Sequence, residues 1–254
     1  EIVKKIKKEK IFTDKLHTLA YGTDASFYRL IPKIVIKTDN AKEVQDIIEL
    51  SNSMNLSITF RAAGTSLSGQ AISDSILIVT SRNFSNFKIA PDASFISLQP
   101  ALTGAQVNGL LAKYSKKIGP DPASINAAMI GGIAANNASG MCCGISQNSY
   151  KTLKSMKLIF ADGAKLDTGC QESKDAFRKT HGDFLKELKN FSNDTKNNEE
   201  LRAKIERKFK IKNTCGYSLN ALIDFEDEFE ILEHLIIGSE GTLAFIEEIT
   251  YYTV

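Results

Sequence analysis

The sequence predicts an α+β protein of two interlocked α/β subdomains, on three observations. The first third alternates short apolar runs with a helical one, as a βαβ unit does. The remainder sets a hairpin signal and a β-rich tail around a long charged helical stretch. No Pro- or Ser-rich linker separates the two parts, where independent domains carry polar, flexible boundaries. A small subdomain is therefore expected over about 30–98 and a larger one over about 99–254, with a helical insertion over about 172–212.

The elements follow from local pattern. Ile34–Lys37 reads as a strand; Asn40 then caps a helix, with Glu43 completing a capping box. Val44, Ile47, Ile48 and Ser51 fall on one face at helical spacing, so that helix packs on a sheet. Ser57–Phe60 and Ile76–Thr80 read as strands, the second apolar enough to be buried on both sides. Phe95–Leu98 alternates, and Thr103 caps a helix with Val107, Leu110, Leu111 and Tyr114 as its stripe. Met156–Ala161 and Ala164–Asp167 flank Asp162-Gly163, a dipeptide that supplies the two positive φ angles of a tight hairpin turn. Glu172–Lys212 is charged and helical, with Phe177, Leu185 and Leu188 recurring, and reads as a surface insertion. Phe229–Leu235 is a further helix, and Thr242–Val254 is β-rich.

Composition excludes several function classes. The chain has 254 residues, 43% of them apolar and 24% charged, within globular usage. With 32 Lys+Arg against 30 Asp+Glu there is no concentrated basic surface to grip nucleic acid. Pro122–Tyr150, 29 residues, holds no Asp, Glu, Lys or Arg. Asn126, Asn136, Asn137, Gln147, Asn148 and four glycines interrupt it, so it does not read as a membrane span, which needs about 20 predominantly apolar residues. The N-terminal lysines (Lys4, Lys5, Lys7, Lys8 and Lys10) read as a solvated helix face, with a membrane-surface role as the alternative. Cys142, Cys143, Cys170 and Cys215 match no zinc spacing, and His17, His181 and His234 form no metal motif. No metal site is expected in this chain, and thiols without a pairing pattern fit a reducing cytoplasm.

Glycine carries the chemical signal. Arg61-Ala-Ala-Gly-Thr-Ser-Leu-Ser-Gly-Gln70 directly follows a strand. Such a loop can turn successive amides toward one anion, with Thr65 and Ser66 as hydroxyl donors, or it can be an ordinary glycine turn. Gly64 and Gly69 have Walker spacing, but Gln70-Ala71 stands where Lys-Ser/Thr is required, and no GxGxxG occurs. The run Gly119-Pro-Asp-Pro122, Gly131-Gly132 and Asn136-Asn-Ala-Ser-Gly140 is dense in small residues that weaken regular structure. It suits close approach of backbone to a flat, uncharged ligand, or a glycine-rich crossing between sheets. Gly131 is expected to face the ligand, so that a larger side chain there would expel it.

These segments, with Phe160-Ala-Asp-Gly163, Ile237-Gly-Ser-Glu-Gly-Thr-Leu243 and the lead-in Tyr21-Gly-Thr-Asp24, stand in one order. In that order the chain, from about Phe12 onward, resembles the FAD-binding (PCMH-type) domain of the D-lactate dehydrogenase/glycolate oxidase family of FAD-linked oxidoreductases, in the vanillyl-alcohol-oxidase superfamily. The resemblance implies that the two subdomains cradle FAD. Ala63, Gly64, Thr65, Ser66, Leu67, Ser68 and Gly69 would hold its pyrophosphate through backbone amides, with Arg61 in the same loop. Pro120, Asp121, Pro122, Ser124, Met129, Gly131 and Gly132 would line the ribityl chain and ring. Ala135, Asn136, Ser139 and Gly140 would close the site, and Glu240 and Gly241 would approach the cofactor. Ala62-Ala63 replaces the commoner Gly-Gly, which Ala tolerates only at negative φ. Thr65 and Ser66 stand where some relatives carry a flavin-linking His, so non-covalent FAD is expected. Asn213-Thr214-Cys215-Gly216-Tyr217 also resembles a segment of the longer family members.

The implied activity is oxidation of a small 2-hydroxy acid, D-lactate, glycolate or similar, by hydride transfer to FAD. The substrate pocket, catalytic base and metal are expected in a cap domain beyond Val254, absent from this chain, so no catalytic residue is assigned here. The electron acceptor is unassigned, and peripheral association with the inner face of the membrane is a further expectation for the longer protein. The alternatives are a UDP-N-acetylmuramate reductase-like flavoenzyme, whose Gly-Gly-Ser-Asn loop is not matched at Gly64–Leu67, and a non-catalytic flavin-binding module.

Overall fold

A computed structural model describes residues 2–254. Helix α1 (Ile2–Lys5) precedes β1 (Ile11–Phe12), α2 (Lys15–Ala20), β2 (Ile34–Thr38), α3 (Ala41–Ser53), β3 (Ile58–Arg61) and β4 (Ile76–Thr80). These strands form a sheet of order β1-β2-β4-β3, with β2 and β3 parallel to β4 and β1 antiparallel at the edge. Every residue of β4 is buried, as a central strand covered on both faces requires. Asn40 caps α3 by accepting from the Glu43 amide at 3.0 Å. The reciprocal half of the expected capping box is displaced: Glu43 Oε2 accepts from the Asp39 amide, not from Asn40. The N-terminal lysines are only partly a solvated face, because Lys5 pairs with Asp46 and Lys10 with Asp39 and Glu43.

The second sheet uses β5 (Phe87–Ile89), β6 (Phe95–Leu98), β7 (Leu153–Phe160), β8 (Lys165–Asp167) and β9 (Ala244–Tyr252), in the order β5-β6-β9-β7-β8 and antiparallel throughout. The division between sheets thus falls between Thr80 and Phe87, because Phe95–Leu98 pairs with the last strand and not with the first sheet. Between β6 and β7 lie α4 (Gly104–Leu111), α5 (Ile130–Asn136) and α6 (Ser149–Thr152). Thr103 and Gln106 form a complete capping box on α4. Val107 and Leu111 are fully buried, whereas Tyr114 is 40% exposed and leaves the expected stripe. After β8 come α7 (Gln171–Asn197), α8 (Glu199–Phe209), α9 (Ala221–Asp224) and α10 (Glu228–Ile236). The charged insertion is more than a surface feature, because Phe177 and Leu185 of α7 enter the main core with Phe229 and Ile236.

The β7–β8 turn differs from the expected type. Gly163 has φ +86° and Asp162 does not share the left-handed region. Phe160 accepts from the Gly163 amide and donates to Ala164, so the hairpin closes as a type I turn followed by a glycine bulge. That turn locks the halves together: Gln45 of α3 donates to the Gly163 carbonyl at 3.0 Å, and Asn52 donates to Ala161. Beneath it, Val44 and Ile48 of α3 pack with Phe84, Ala101, Ile159 and Phe245 in a core that spans both sheets.

Candidate cofactor site

The loop after β3 is held from behind. Arg61 Nη1 donates to the carbonyls of Thr23 (2.7 Å), Ala71 (3.2 Å) and Tyr21 (3.3 Å), and burial lowers its pKa. Its guanidinium therefore organises the loop, and a Cβ on Gly64 would lie 2.4 Å from Nη2. Gly64 (φ +71°) and Gly69 (φ +77°) occupy the left-handed region, whereas Ala62 and Ala63 do not, which is why alanine is tolerated at both. Ser66 Oγ accepts from the amides of Ser68 and Gln70 and donates to Gln70 Oε1.

The uncharged run folds back on itself. A Cβ on Gly119 would meet the Gln147 carbonyl at 2.3 Å, and one on Gly140 would meet the Asp121 carbonyl at 1.7 Å. These glycines serve backbone-to-backbone contact within the run. Part of the run is helical: α5 begins with the Ile130 and Gly131 amides donating to Leu102 and Pro100. Gly131 faces protein, since its Cβ would lie 2.7 Å from Pro100 Cβ, whereas one on Gly132 would stand 3.6 Å from Ala62 alone. Both expected glycines line the cleft, but only Gly132 has room on its Cβ side, because a helical turn rotates neighbours by about 100°.

The late motif docks on the other end of α5. Gly238 (φ +87°), Glu240 (φ +56°) and Gly241 (φ +76°) turn sharply. The amides of Gly238 and Glu240 donate to the Ala134 and Ala135 carbonyls in the last turn of α5. Ser218 donates to the Ile237 carbonyl at 2.6 Å and Tyr217 Oη sits 2.9 Å from Thr242 Oγ1, tying the Asn213–Tyr217 segment to this turn.

These walls enclose a cleft of about 640 Å³ between the two sheets. Arg61 and Ala63, Gly64, Thr65, Ser66, Leu67 and Ser68 line it from the loop; Pro122, Ser124 and Met129 line it ahead of α5. Gly131, Gly132, Ala135 and Asn136 on α5, Ser139 after it, and Glu240 with Gly241 complete the expected set. Gly69, Pro120, Asp121 and Gly140 stand behind the wall: Gly69 packs on Tyr28, and Asp121 on Gly140. Sequence reasoning missed Phe60, Gln70, Pro100, Lys212 and Phe245 in the wall. The strand that ends at the loop could have indicated Phe60; no local pattern indicates Lys212, which donates to the Ser139 carbonyl. Thr214, Cys215 and Gly216 also reach the cleft.

The electrostatics are sparse. Among the described residues Glu240 is the sole carboxylate in the wall, and none of the three histidines lines it. Burial raises the Glu240 pKa above its ordinary value, against hydrogen bonds from Asn136 (2.6 Å) and Gln70 (3.4 Å) to Oε1. Among the described residues no group of three or more His, Cys, Asp or Glu is placed to hold a metal ion, and no helix is long and apolar enough to cross a membrane.

Comparison with known proteins places this geometry. The FAD binding domain family matches residues 32–169, more than half of the chain. D-2-hydroxyglutarate dehydrogenase of Haemophilus influenzae is 26% identical over 247 residues, covering 94% of this chain and 24% of that protein. D-lactate dehydrogenase of Archaeoglobus fulgidus is 24% identical over 222 residues, 85% of this chain and 38% of that one. The chain therefore spans about a quarter to two-fifths of the curated relatives it matches. Among solved structures, alkyldihydroxyacetonephosphate synthase superposes with a TM-score of 0.63 over 98% of this chain and 39% of that one, at 16% identity, a likeness of fold. Family match and fold agree: the chain belongs to the FAD binding domain family, and the curated proteins it is similar to include D-2-hydroxyglutarate dehydrogenase, D-lactate dehydrogenase and a glycolate oxidase subunit.

Proposed function

We propose that this chain holds non-covalent FAD within a dehydrogenase that oxidises a small 2-hydroxy acid. One observation carries the reading: three segments far apart in sequence, 61–70, 129–139 and 240–246, converge on a single cleft. About 640 Å³ lies within the range of small-molecule and cofactor pockets, roughly 300–1,000 Å³. The cleft fits a dinucleotide chemically as well. Its loop presents small residues and hydroxyls suited to a pyrophosphate, and Phe60, Met129, Phe245 and Ile246 give an apolar wall suited to a flat ring. Relatives with matching sequence act on D-2-hydroxyglutarate and D-lactate by their names, which supports the substrate class.

Bound there, FAD supplies a two-electron acceptor for the hydride of the substrate C2–H bond. The chain's own residues bind and orient. The 61–70 loop would hold the phosphates, Arg61 keeps that loop in shape from behind, and Gly132 leaves the space that a side chain would occupy. The packed aromatic pair Phe60–Phe245, ring centroids 5.0 Å apart, gives the cleft an apolar floor. We assign the base for the substrate hydroxyl to the part of the longer relatives that this chain does not span.

The test is direct. Purified protein titrated with FAD should quench flavin fluorescence and give a bound-flavin spectrum, and acid precipitation should leave the flavin in the supernatant. No quenching would overturn the cofactor assignment, and yellow protein in the pellet would overturn the non-covalent one. For the substrate class, D-lactate, glycolate and D-2-hydroxyglutarate added without oxygen to the flavin-loaded full-length protein should bleach the oxidised flavin for at least one of them. Three unbleached spectra would overturn the class.

A further inference from the structure

Glu240 is built into the cleft in a way that a structural role alone does not require, and any role for it toward a cofactor rests on the proposal that FAD binds there. Its φ of +56° is costly for a residue with a side chain and persists only where the surroundings impose it. Its Oε1 takes the Asn136 amide at 2.6 Å and the Gln70 amide at 3.4 Å, and Gln70 is itself held by Ser66. All three walls of the cleft thus converge on one carboxylate oxygen. The other oxygen, Oε2, accepts no hydrogen bond from the described residues and is not sealed from solvent. Neither nearby cation pairs with it: Arg61 is engaged by three carbonyls and Lys212 by the Ser139 carbonyl.

A half-buried carboxylate with one oxygen saturated and the other open calls for a hydrogen-bond donor. The pyrophosphate and the ring carbonyls of FAD are acceptors and would be repelled. In the flavin half the donors are the ring imide N–H and the ribityl hydroxyls. The neighbourhood matches that half, because Gly241 lies against Phe60, 3.4 Å from where its Cβ would be, and Phe60 packs at a tilt against Phe245. We propose that Glu240 Oε2 accepts a hydrogen bond from the flavin half of bound FAD, from the imide or a ribityl hydroxyl, and that its charge holds the reduction potential of the ring down. A negative charge near the ring disfavours the electrons that reduction adds.

Glu240→Gln keeps size, backbone and an acceptor for Asn136 while removing the charge. Its FAD Kd, read by fluorescence quenching, should rise about ten-fold, as loss of a charged hydrogen bond implies. The midpoint potential of the bound flavin, read against a reference dye, should become more positive, which a merely structural change would not produce. 3-Methyl-FAD, which lacks the imide N–H, separates the sources. If the imide is the donor, wild type loses about ten-fold on 3-methyl-FAD and E240Q loses nothing further. If a ribityl hydroxyl is the donor, 3-methyl-FAD binds wild type as FAD does and remains sensitive to E240Q. Should E240Q melt below wild type in the apo state, Glu240→Asp serves as the second variant: it retains the charge but withdraws it, so affinity falls while the potential moves less. Wild type and E240Q binding FAD with equal Kd and equal potential would overturn this inference and leave the flavin reading standing. Wild type that does not bind FAD would overturn both.

Discussion

Glu233 and His234 sit side by side on α10, each 7% exposed, and burial acts on them in opposite directions. Burial raises the Glu233 pKa from 4.5 to about 7, with Thr168 and Lys174 opposing and Glu230 and Asp227 reinforcing, and its Oε2 has no partner among the described residues. Burial lowers the His234 pKa from 6.5 to about 4; the ring lies between Phe225 (4.0 Å) and Tyr150 (4.7 Å), and Nδ1 donates to the Glu230 carbonyl. Between pH 4 and 6.5 the unfolded chain binds more protons at His234, so that residue's contribution makes stability rise with pH. Between pH 4.5 and 7 the folded chain binds more at Glu233, so stability falls with pH there. The two slopes have similar size, about 3 kcal/mol each over their windows, and they cancel from about pH 4.5 to 6.5. Wild-type stability in urea should therefore change little from these groups across that window. Glu233→Gln should gain stability as pH rises from 4 to 6.5, and His234→Phe should lose it from 4.5 to 7; parallel profiles for all three proteins would refute the assignment.

Helix α5 shows why adjacent residues in one motif do different work. Gly131 touches Pro100 and Gly132 looks into the cleft, so substitution separates stability from binding. Gly131→Val should cost about 1–3 kcal/mol in urea unfolding by overpacking. Gly132→Val should leave the melting temperature nearly unchanged and weaken FAD by about ten-fold or more in a titration. Equal behaviour of the two variants would mean that α5 does not form the wall described. The glycine pair was legible in the sequence, but its phase was not, because a run without apolar periodicity gives no helical face to count from. Thr103 and Asn40 were legible as caps because capping is local chemistry. Asp162-Gly163 misled as to turn type, since the glycine bulge was selected by contacts with Gln45 and Asn52 more than a hundred residues away.

On the scale of the whole molecule, the cleft exists only where the two sheets meet, and its lining was legible mainly as ordered motifs. Of the missed residues, Phe60 and Phe245 enter the wall through the packing of α3, β3 and β9, whereas Pro100 and Lys212 reach it from connecting segments that carry no signature of their own. Because ligand bridges the halves, FAD at a hundred times its Kd should stabilise the protein by about 2.7 kcal/mol, read as a rise in melting temperature. Amide exchange should slow at 61–70 and 238–242 while the β7–β8 hairpin edge stays unchanged; slowing confined to the hairpin would refute the location. The position of β9 has a further consequence during synthesis. It lies between β6 and β7 in the second sheet, yet it follows both in the chain. While the ribosome is still adding residues, β6 and β7 stand with open edges, separated by the gap that one unmade strand will fill. The nascent chain must be kept from pairing those edges with a neighbour until Ala244–Tyr252 clears the exit tunnel. The second sheet, and the part of the cleft wall that Ala244, Phe245 and Ile246 supply, are complete only once that last strand is in place.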